Sequence, residues 1–167
     1  MTESEVIEQL REQSILEVEL GAFPSRAALV AHVLEHIYQS EKVAEEAIAT
    51  GPSDIDTYFD GILAAFDWNA DSENAFLRRA TFEAAAYDAS LVRPHYQRWI
   101  DEASNDLQAL GLSATDAAFE SRFLNNMFLG FAYDLTVNND TDTTRAVFLV
   151  SLARFRERIE HLVELAV

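Results

Sequence analysis

The last 55 residues carry the clearest pattern of apolar and polar positions in the chain. Apolar residues recur at helical spacing on both sides of the polar stretch 138–142, so the pattern predicts two long helices, 113–137 and 143–165. In the second helix, successive spacings of 4, 3, 4 and 3 place one apolar stripe on one side: Phe148, Leu152, Phe155, Ile159 and Leu162. Such a stripe is typical of a seam between paired helices.

The first of these helices has two neighbouring apolar rows. One row is Phe119, Phe123, Asn126, Gly130 and Tyr133, and the other is Leu124, Phe128, Phe131 and Leu135. Two rows favour burial on two sides, one against this chain and one against a second copy, although a two-sided core helix is the alternative. Gly130 supports the second copy. A glycine inside a helix lowers stability by about 1 kcal/mol relative to alanine, and close approach of another backbone is the usual compensation.

We therefore predict a homodimer with a four-helix interface built from these two helices of each copy. The predicted interface residues are Phe128, Gly130, Phe131, Phe148, Leu152, Phe155, Ile159 and Leu162.

The earlier part of the chain reads as a smaller helical bundle. Apolar spacing and capping residues predict helices over 3–20, 25–50, 53–66, 72–87 and 90–110. Ser25 and Ser53 are the predicted N-caps here, with Asp56 at the third position after Ser53, and Ser113 with Asp116 is the predicted N-cap of the helix that starts at 113. The predicted fold is an all-α bundle of about seven helices, with a short N-terminal segment, 1–22, before the main domain, 23–167.

Charge and composition narrow the possible partners. There are 29 acidic and 12 basic residues, a net charge of −17, and Lys42 is the only lysine. Such a surface repels nucleic acid and anionic membranes, although a salt-adapted cytoplasm would select the same bias. There is no cysteine, and no stretch approaches the roughly 18 apolar residues of a spanning helix. We expect a cytoplasmic protein without membrane contact.

Three segments together resemble the TetR family of transcriptional regulators. Residues 23–29, Phe-Pro-Ser-Arg-Ala-Ala-Leu, are similar to the family's junction between the DNA-reading helix and the long connecting helix. Residues 83–91 resemble its helix, acidic break and helix, and residues 124–132 resemble its penultimate helix with a glycine. The likeness covers 23 to about 160. It implies a TetR C-terminal-domain-like fold, with the last two helices pairing between subunits and the central helices around an apolar effector pocket.

The likeness does not extend to the front of the chain. A helix-turn-helix module needs roughly 45 residues, and 22 precede Phe23. Residues 1–52 hold ten glutamates against Arg11, Arg26 and Lys42, whereas phosphate contacts need several basic side chains on one face. We expect the DNA-binding module to be shortened or missing and do not expect direct DNA binding by this chain.

No pattern in the sequence indicates catalysis or a cofactor. His32 and His36 stand four residues apart, which would allow one metal ion to bind both, but Val33 replaces the glutamate of the zinc-protease motif and a solvated face is favoured. No nucleophile elbow or phosphate-binding glycine loop is present. We expect neither enzyme activity nor a metal.

Aromatic residues on the central helices are the main candidates for a functional site. An apolar cavity with few polar groups is typical of a small-molecule site, although rings that simply fill the core are the alternative. Asn126, Tyr87 and His95 are the possible polar contacts. The predicted ligand-binding residues are Phe59, Leu63, Phe82, Tyr96, Trp99, Phe123, Asn126 and Met127.

These patterns predict a homodimeric, TetR-like protein that senses a small apolar ligand in transcriptional regulation. The alternative is an interaction module that heterodimerises with a full-length regulator, without ligand or DNA binding of its own.

Overall fold

A computed structural model describes residues 2–47 and 54–165 of the chain. Over these residues the fold is an all-α bundle, as predicted, with no strand. The helices are α1 (Glu3–Gln9), α2 (Arg26–Glu46), α3 (Ile55–Ala70), α4 (Ala75–Tyr87), α5 (Ala89–Ala109), α6 (Ala114–Asn138) and α7 (Thr141–Leu165). A short 3-10 turn, Ser72–Asn74, lies between α3 and α4.

Two of the predicted caps take the expected roles. The Ser25 hydroxyl accepts the backbone N–H of Ala28 at 3.1 Å, and the Ser113 hydroxyl accepts that of Asp116 at 3.1 Å. Ser53 is the predicted cap of the next helix, but the cap of α3 is Asp54, whose carboxylate accepts the backbone N–H of Thr57 at 2.8 Å. Ser53 and the predicted end of the preceding helix near residue 50 lie outside the described residues.

The predicted loop at 67–71 is wrong, because α3 continues to Ala70. Two side chains satisfy carbonyl groups at this helix end: Asn74 Nδ2 donates to the Trp68 carbonyl at 2.7 Å, and Arg78 donates to the Asn69 carbonyl. Ala70 is also buried. The extra turn is therefore held by partners that come later in the sequence.

The predicted helix over 3–20 is also wrong beyond Gln9. Two arginines from later helices bind the carbonyl groups of the turns that follow α1. Arg26 Nη1 donates to the carbonyls of Ile15 and Val18 at 2.8 and 2.7 Å, and Arg79 Nη2 donates to that of Gln13 at 3.0 Å. Because these carbonyls have side-chain donors, the segment needs no helix of its own.

The N-terminal segment shares a core with the rest of the chain. Val6, Leu10, Ile15 and Val18 are buried with Phe23 and with residues of α2, α4 and α5. The predicted division at residue 22 is therefore not a boundary in packing. A second core joins α3, α5, α6 and α7.

The apolar stripe of α7 lies in this second core. Phe148, Leu152, Phe155 and Ile159 are all buried, and the ring of Phe148 stacks on that of Phe66 with centroids 3.8 Å apart. Their assignment to a dimer interface is thus corrected, because α3 and α6 of the same chain cover them. A stripe at this spacing is equally suited to packing within one bundle.

The other predicted interface residues divide between interior and surface. Phe131 and Leu162 pack against the second core, and Phe128 lines an internal cavity. Gly130 alone of the eight is exposed. A Cβ built there meets nothing within 4 Å among the described residues, so no other described part of the chain approaches this glycine closely.

Candidate ligand-binding site

A cavity of about 690 Å³ lies where α2, α3, α4, α5 and α6 face one another. Its walls are mainly apolar, and its volume is in the range of sites that bury a drug-sized ligand. α3 contributes along most of its length, from Thr57 to Asn69. α6 contributes the face that carries Leu124, Phe128 and Ala132.

Three of the predicted ligand-binding residues line this cavity: Phe82, Tyr96 and Trp99. Trp99 sits in an aromatic cluster, with its ring centroid 6.2 Å from Tyr96 and 6.3 Å from Tyr38. Burial raises the pKa of Tyr96, as expected for a phenol surrounded by apolar groups. Tyr96 and Trp99 thus give the cavity an aromatic wall on α5.

The other five predicted residues lie elsewhere. Phe59 and Leu63 pack in the second core, where the Phe59 ring lies 5.8 Å from that of Phe155. Phe123 and Asn126 are exposed, and Met127 shares with Phe123 a separate hollow on the α6–α7 surface.

The rotation of α6 explains much of this difference. The helix turns Asn125 and Phe128, rather than Asn126 and Met127, toward the cavity. A shift of one residue is about 100° around a helix, and apolar residues on both faces gave no signal to choose between them. The sequence reasoning also missed Tyr58 and Trp68, which line the cavity from α3.

One polar part of the cavity wall is formed by α2 and α5. Tyr38 Oη donates to Glu102 Oε1 at 2.5 Å, and Lys42 Nζ lies 3.1 Å from Glu102 Oε2. Burial acts to raise the pKa of Glu102, but the bonds from Tyr38 and Lys42 outweigh it and the pKa is lowered. Arg98 adds a third donor at 3.5 Å. Glu102 therefore already has its partners within the protein.

Asp106 lies one turn further along α5 and also lines the cavity. Burial raises the pKa of its carboxyl group, and the nearby Lys42 opposes that shift. The carboxyl group is thus more easily protonated than an exposed aspartate.

A second polar part joins α2, α3 and α4. Glu41 and Arg78 are each 7% exposed, and Asn69 lies between them. The Asn69 side-chain amide donates to Glu41, while the Asn69 carbonyl accepts from Arg78 Nη1. Nη1 also donates to the Asp71 carbonyl at 3.3 Å. Burial lowers the pKa of Arg78, and Asp71 opposes this.

The remaining candidates for polar chemistry lie outside the cavity. Tyr87 is exposed, and His32 packs on Phe23 with ring centroids 5.1 Å apart. His95 is half-buried beside Trp99, and burial lowers its pKa while a hydrogen bond to the Leu34 carbonyl opposes the shift. Within residues 2–47 and 54–165, no group of three acidic or histidine side chains is placed to hold a metal ion.

The outer face of α6 and α7 carries an apolar surface. On α6, Phe119, Tyr133 and Val137 are 62%, 60% and 59% exposed. On α7, Val147 and Val150 are 51% and 54% exposed. We call these five residues the outer apolar row. Phe119 and Tyr133 belong to the first of the two rows on α6.

Comparison with protein-family models and with curated proteins finds no match for this sequence. No helix in the described part of the chain is long and apolar enough to cross a membrane. The fold and the site therefore define a class and not a family: an all-α bundle with an internal, mainly apolar cavity and two polar groups of side chains in its wall.

Proposed function

We propose that this chain is a homodimeric, TetR-like protein that senses a small, largely apolar ligand and acts in transcriptional regulation. The observation that carries the proposal is the 690 Å³ cavity, which five helices surround with aromatic and aliphatic side chains. A concave space of this size with mainly apolar walls and a few polar groups is typical of a small-molecule site. The lack of cysteine and the acidic surface are compatible with a cytoplasmic setting.

The outer apolar row supports the homodimer. It runs along α6 from Phe119 to Val137, a distance of about 27 Å at helical rise, and continues onto α7. Apolar patches of this extent on a soluble surface typically mark an interface. The stretch 113–165 has eight acidic and five basic residues, so it is much closer to neutral than the whole chain at −17. Two strongly acidic copies would repel each other least across this face.

A heterodimeric interaction module is the second candidate, because the same row would serve a different helical partner equally well. The two functions differ in what happens at the cavity. A sensor binds a small molecule there, whereas an interaction module has no use for one.

Thermal denaturation of the full chain with uncharged apolar probes, such as decanol and indole, tests the proposal. A probe that binds only the folded state at 100 times its Kd stabilises it by about 2.7 kcal/mol, or roughly 5–10 °C in Tm. Trp99→Ala should reduce this response. Phe123→Ala is the matched control, because Phe123 is an aromatic residue of α6 outside the cavity. No response to any probe, or equal loss in both variants, would favour the interaction module.

A further inference from the structure

Arg78 is the most unusual residue of the cavity wall. Only 7% of its surface is exposed. Acidic residues outnumber basic ones by 29 to 12 in this chain, so carboxylate partners are plentiful. Yet, over the residues that the structure describes, its guanidinium forms no ion pair. Buried arginines are almost always paired with a carboxylate, because removing a positive charge from water is costly. Its hydrogen bonds within the described chain go to two backbone carbonyls, and the nearby Asp71 also favours the charge.

The hydrogen bonds of Arg78 leave part of the guanidinium unused. Both bonds within the described chain are donated by Nη1, to the carbonyls of Asn69 and Asp71. Nε is buried without a hydrogen-bond partner, and Nη2 forms no hydrogen bond within the described chain. Nη2 therefore keeps its N–H donors for a further acceptor, and a carboxylate oxygen accepts from arginine through a charge-assisted hydrogen bond.

Two of the acidic residues of the cavity wall, Glu102 and Glu41, do not take this role. Glu102 is held by Tyr38, Lys42 and Arg98, on the part of the wall formed by α2 and α5. Glu41 accepts a hydrogen bond from the Asn69 side chain, so it meets the Arg78 group only through that amide. The apolar residues next to Arg78 along α4 and α3 are Phe82 and Trp68, which offer a surface for a hydrophobic body.

We propose that the cavity binds an apolar molecule ending in a carboxylate, and that the guanidinium of Arg78 binds this carboxylate through Nη2. The proposal rests on the ligand-sensing function above and names the chemical class of its ligand. The body of the ligand lies against Phe82, Trp99 and Phe128, and its head lies at the junction of α3 and α4.

Isothermal titration of the full chain with three ten-carbon probes below their micelle-forming concentrations tests the assignment. The probes are decanoate, decanol and decylammonium, which share one body and differ in the charge of the head. We expect decanoate to bind about 10- to 100-fold more tightly than decanol, as for a hydrogen bond to a charged group. Decylammonium should bind most weakly.

Two substitutions locate the effect. Arg78→Met removes the charge and keeps much of the length, so it should erase the preference for decanoate while decanol still binds. Arg78→Lys keeps the charge but lacks the guanidinium, and should retain only part of the preference. Arg93→Met, at an exposed arginine of α5, is the control and should change nothing. If Arg78→Met fails to fold, the wild-type comparison of the three probes and Arg78→Lys still decide.

The outcomes separate this inference from the proposed function. Equal affinity for decanoate and decanol, or tighter binding of decylammonium, overturns the role of Arg78 but keeps a ligand-binding cavity. A decanoate preference that survives in Arg78→Met also overturns it. Binding of none of the three probes contradicts both proposals.

Discussion

Gly61 is a small residue placed where the cavity has most room for a larger one. It lies inside α3 and lines the cavity, and a Cβ built on it meets nothing within 4 Å. Glycine inside a helix is less favourable than alanine by about 0.8–1.0 kcal/mol. In this position the cost has no compensation from a close backbone contact, so the missing side chain contributes only space.

Substitution of Gly61 should therefore separate stability from binding. Gly61→Ala should raise the free energy of unfolding by about 0.5–1 kcal/mol, measured by urea denaturation. Gly61→Leu should leave the chain folded but project into the cavity and weaken the binding of decanol. Gly130→Ala, in an exposed helical glycine, is the control and should stabilise the chain without affecting the probe. Loss of folding in Gly61→Leu would mean that the cavity has no spare volume at this point.

His95 should make the stability of the bundle depend on pH. Burial lowers its pKa in the folded chain below the ordinary value of 6.5, with Arg98 acting in the same direction and the Leu34 carbonyl and Glu35 opposing. Above pH 6.5 the His95 side chain is neutral in both the folded and the unfolded chain, so it adds no pH dependence to the free energy of unfolding. As the pH falls below that value, the unfolded chain takes up the proton first, so the free energy of unfolding decreases.

Urea denaturation between pH 7.5 and 5 of the wild type and of His95→Gln measures this contribution. The variant should lose less stability on acidification, by up to about 1.4 kcal/mol per pH unit in the range where only the unfolded state is protonated. His36→Gln, at an exposed histidine of the neighbouring α2, is the matched control. Parallel pH profiles for wild type and His95→Gln would show that His95 is not the group responsible.

At the scale of elements, α6 and α7 show what the sequence could and could not predict. The existence of both helices, the Ser113 cap and an apolar core face could be predicted, because spacing alone sets which residues share a side. Which partner covers each face depends on contacts made by residues far apart in sequence. The stripe of α7 is covered by α3, nearly a hundred residues earlier, through contacts such as Phe66 with Phe148.

The cavity, too, depends partly on contacts between residues far apart in sequence. Tyr96 and Trp99 could be identified, because both lie on the apolar side of α5 with Ile100 and Leu107. The anchor Arg78 could not be, because a charged residue in an amphipathic helix is normally assigned to the solvent face. Its burial depends on the extra turn of α3, whose terminal carbonyls it binds.

The two faces of α7 predict opposite results for glutamate substitutions. Val150 is 54% exposed on the outer apolar row, so Val150→Glu should leave the chain folded and weaken the homodimer. Phe155 is 2% exposed, so Phe155→Glu should instead destabilise the chain by more than about 4 kcal/mol, since it places an unpaired charge in the core. Light scattering with circular dichroism distinguishes these effects. A wild-type monomer would contradict the dimer, and a dimeric Val150→Glu would place the interface elsewhere.

At the scale of the whole molecule, the charge opposes DNA recognition by this chain. The net charge of −17 opposes approach to a polyanion at all distances within a Debye length. Many of the arginines on the described surface are also engaged in ion pairs. Arg145 binds Asp67 with an Nε–Oδ1 distance of 2.7 Å, and Arg156 and Arg158 pair with Glu160 and Glu120 at 2.7 Å.

This charge distribution predicts that the purified chain binds no duplex DNA specifically at physiological salt. Phosphate contacts would have to replace existing ion pairs, and each neutralised phosphate needs a basic side chain on one shared face. Selection from a pool of random duplexes, followed by fluorescence anisotropy at 50 and 150 mM salt, measures the affinity. We expect no enriched sequence and only weak binding. An enriched sequence bound at nanomolar concentration, with affinity that falls steeply as salt rises, would show that this chain reads DNA itself.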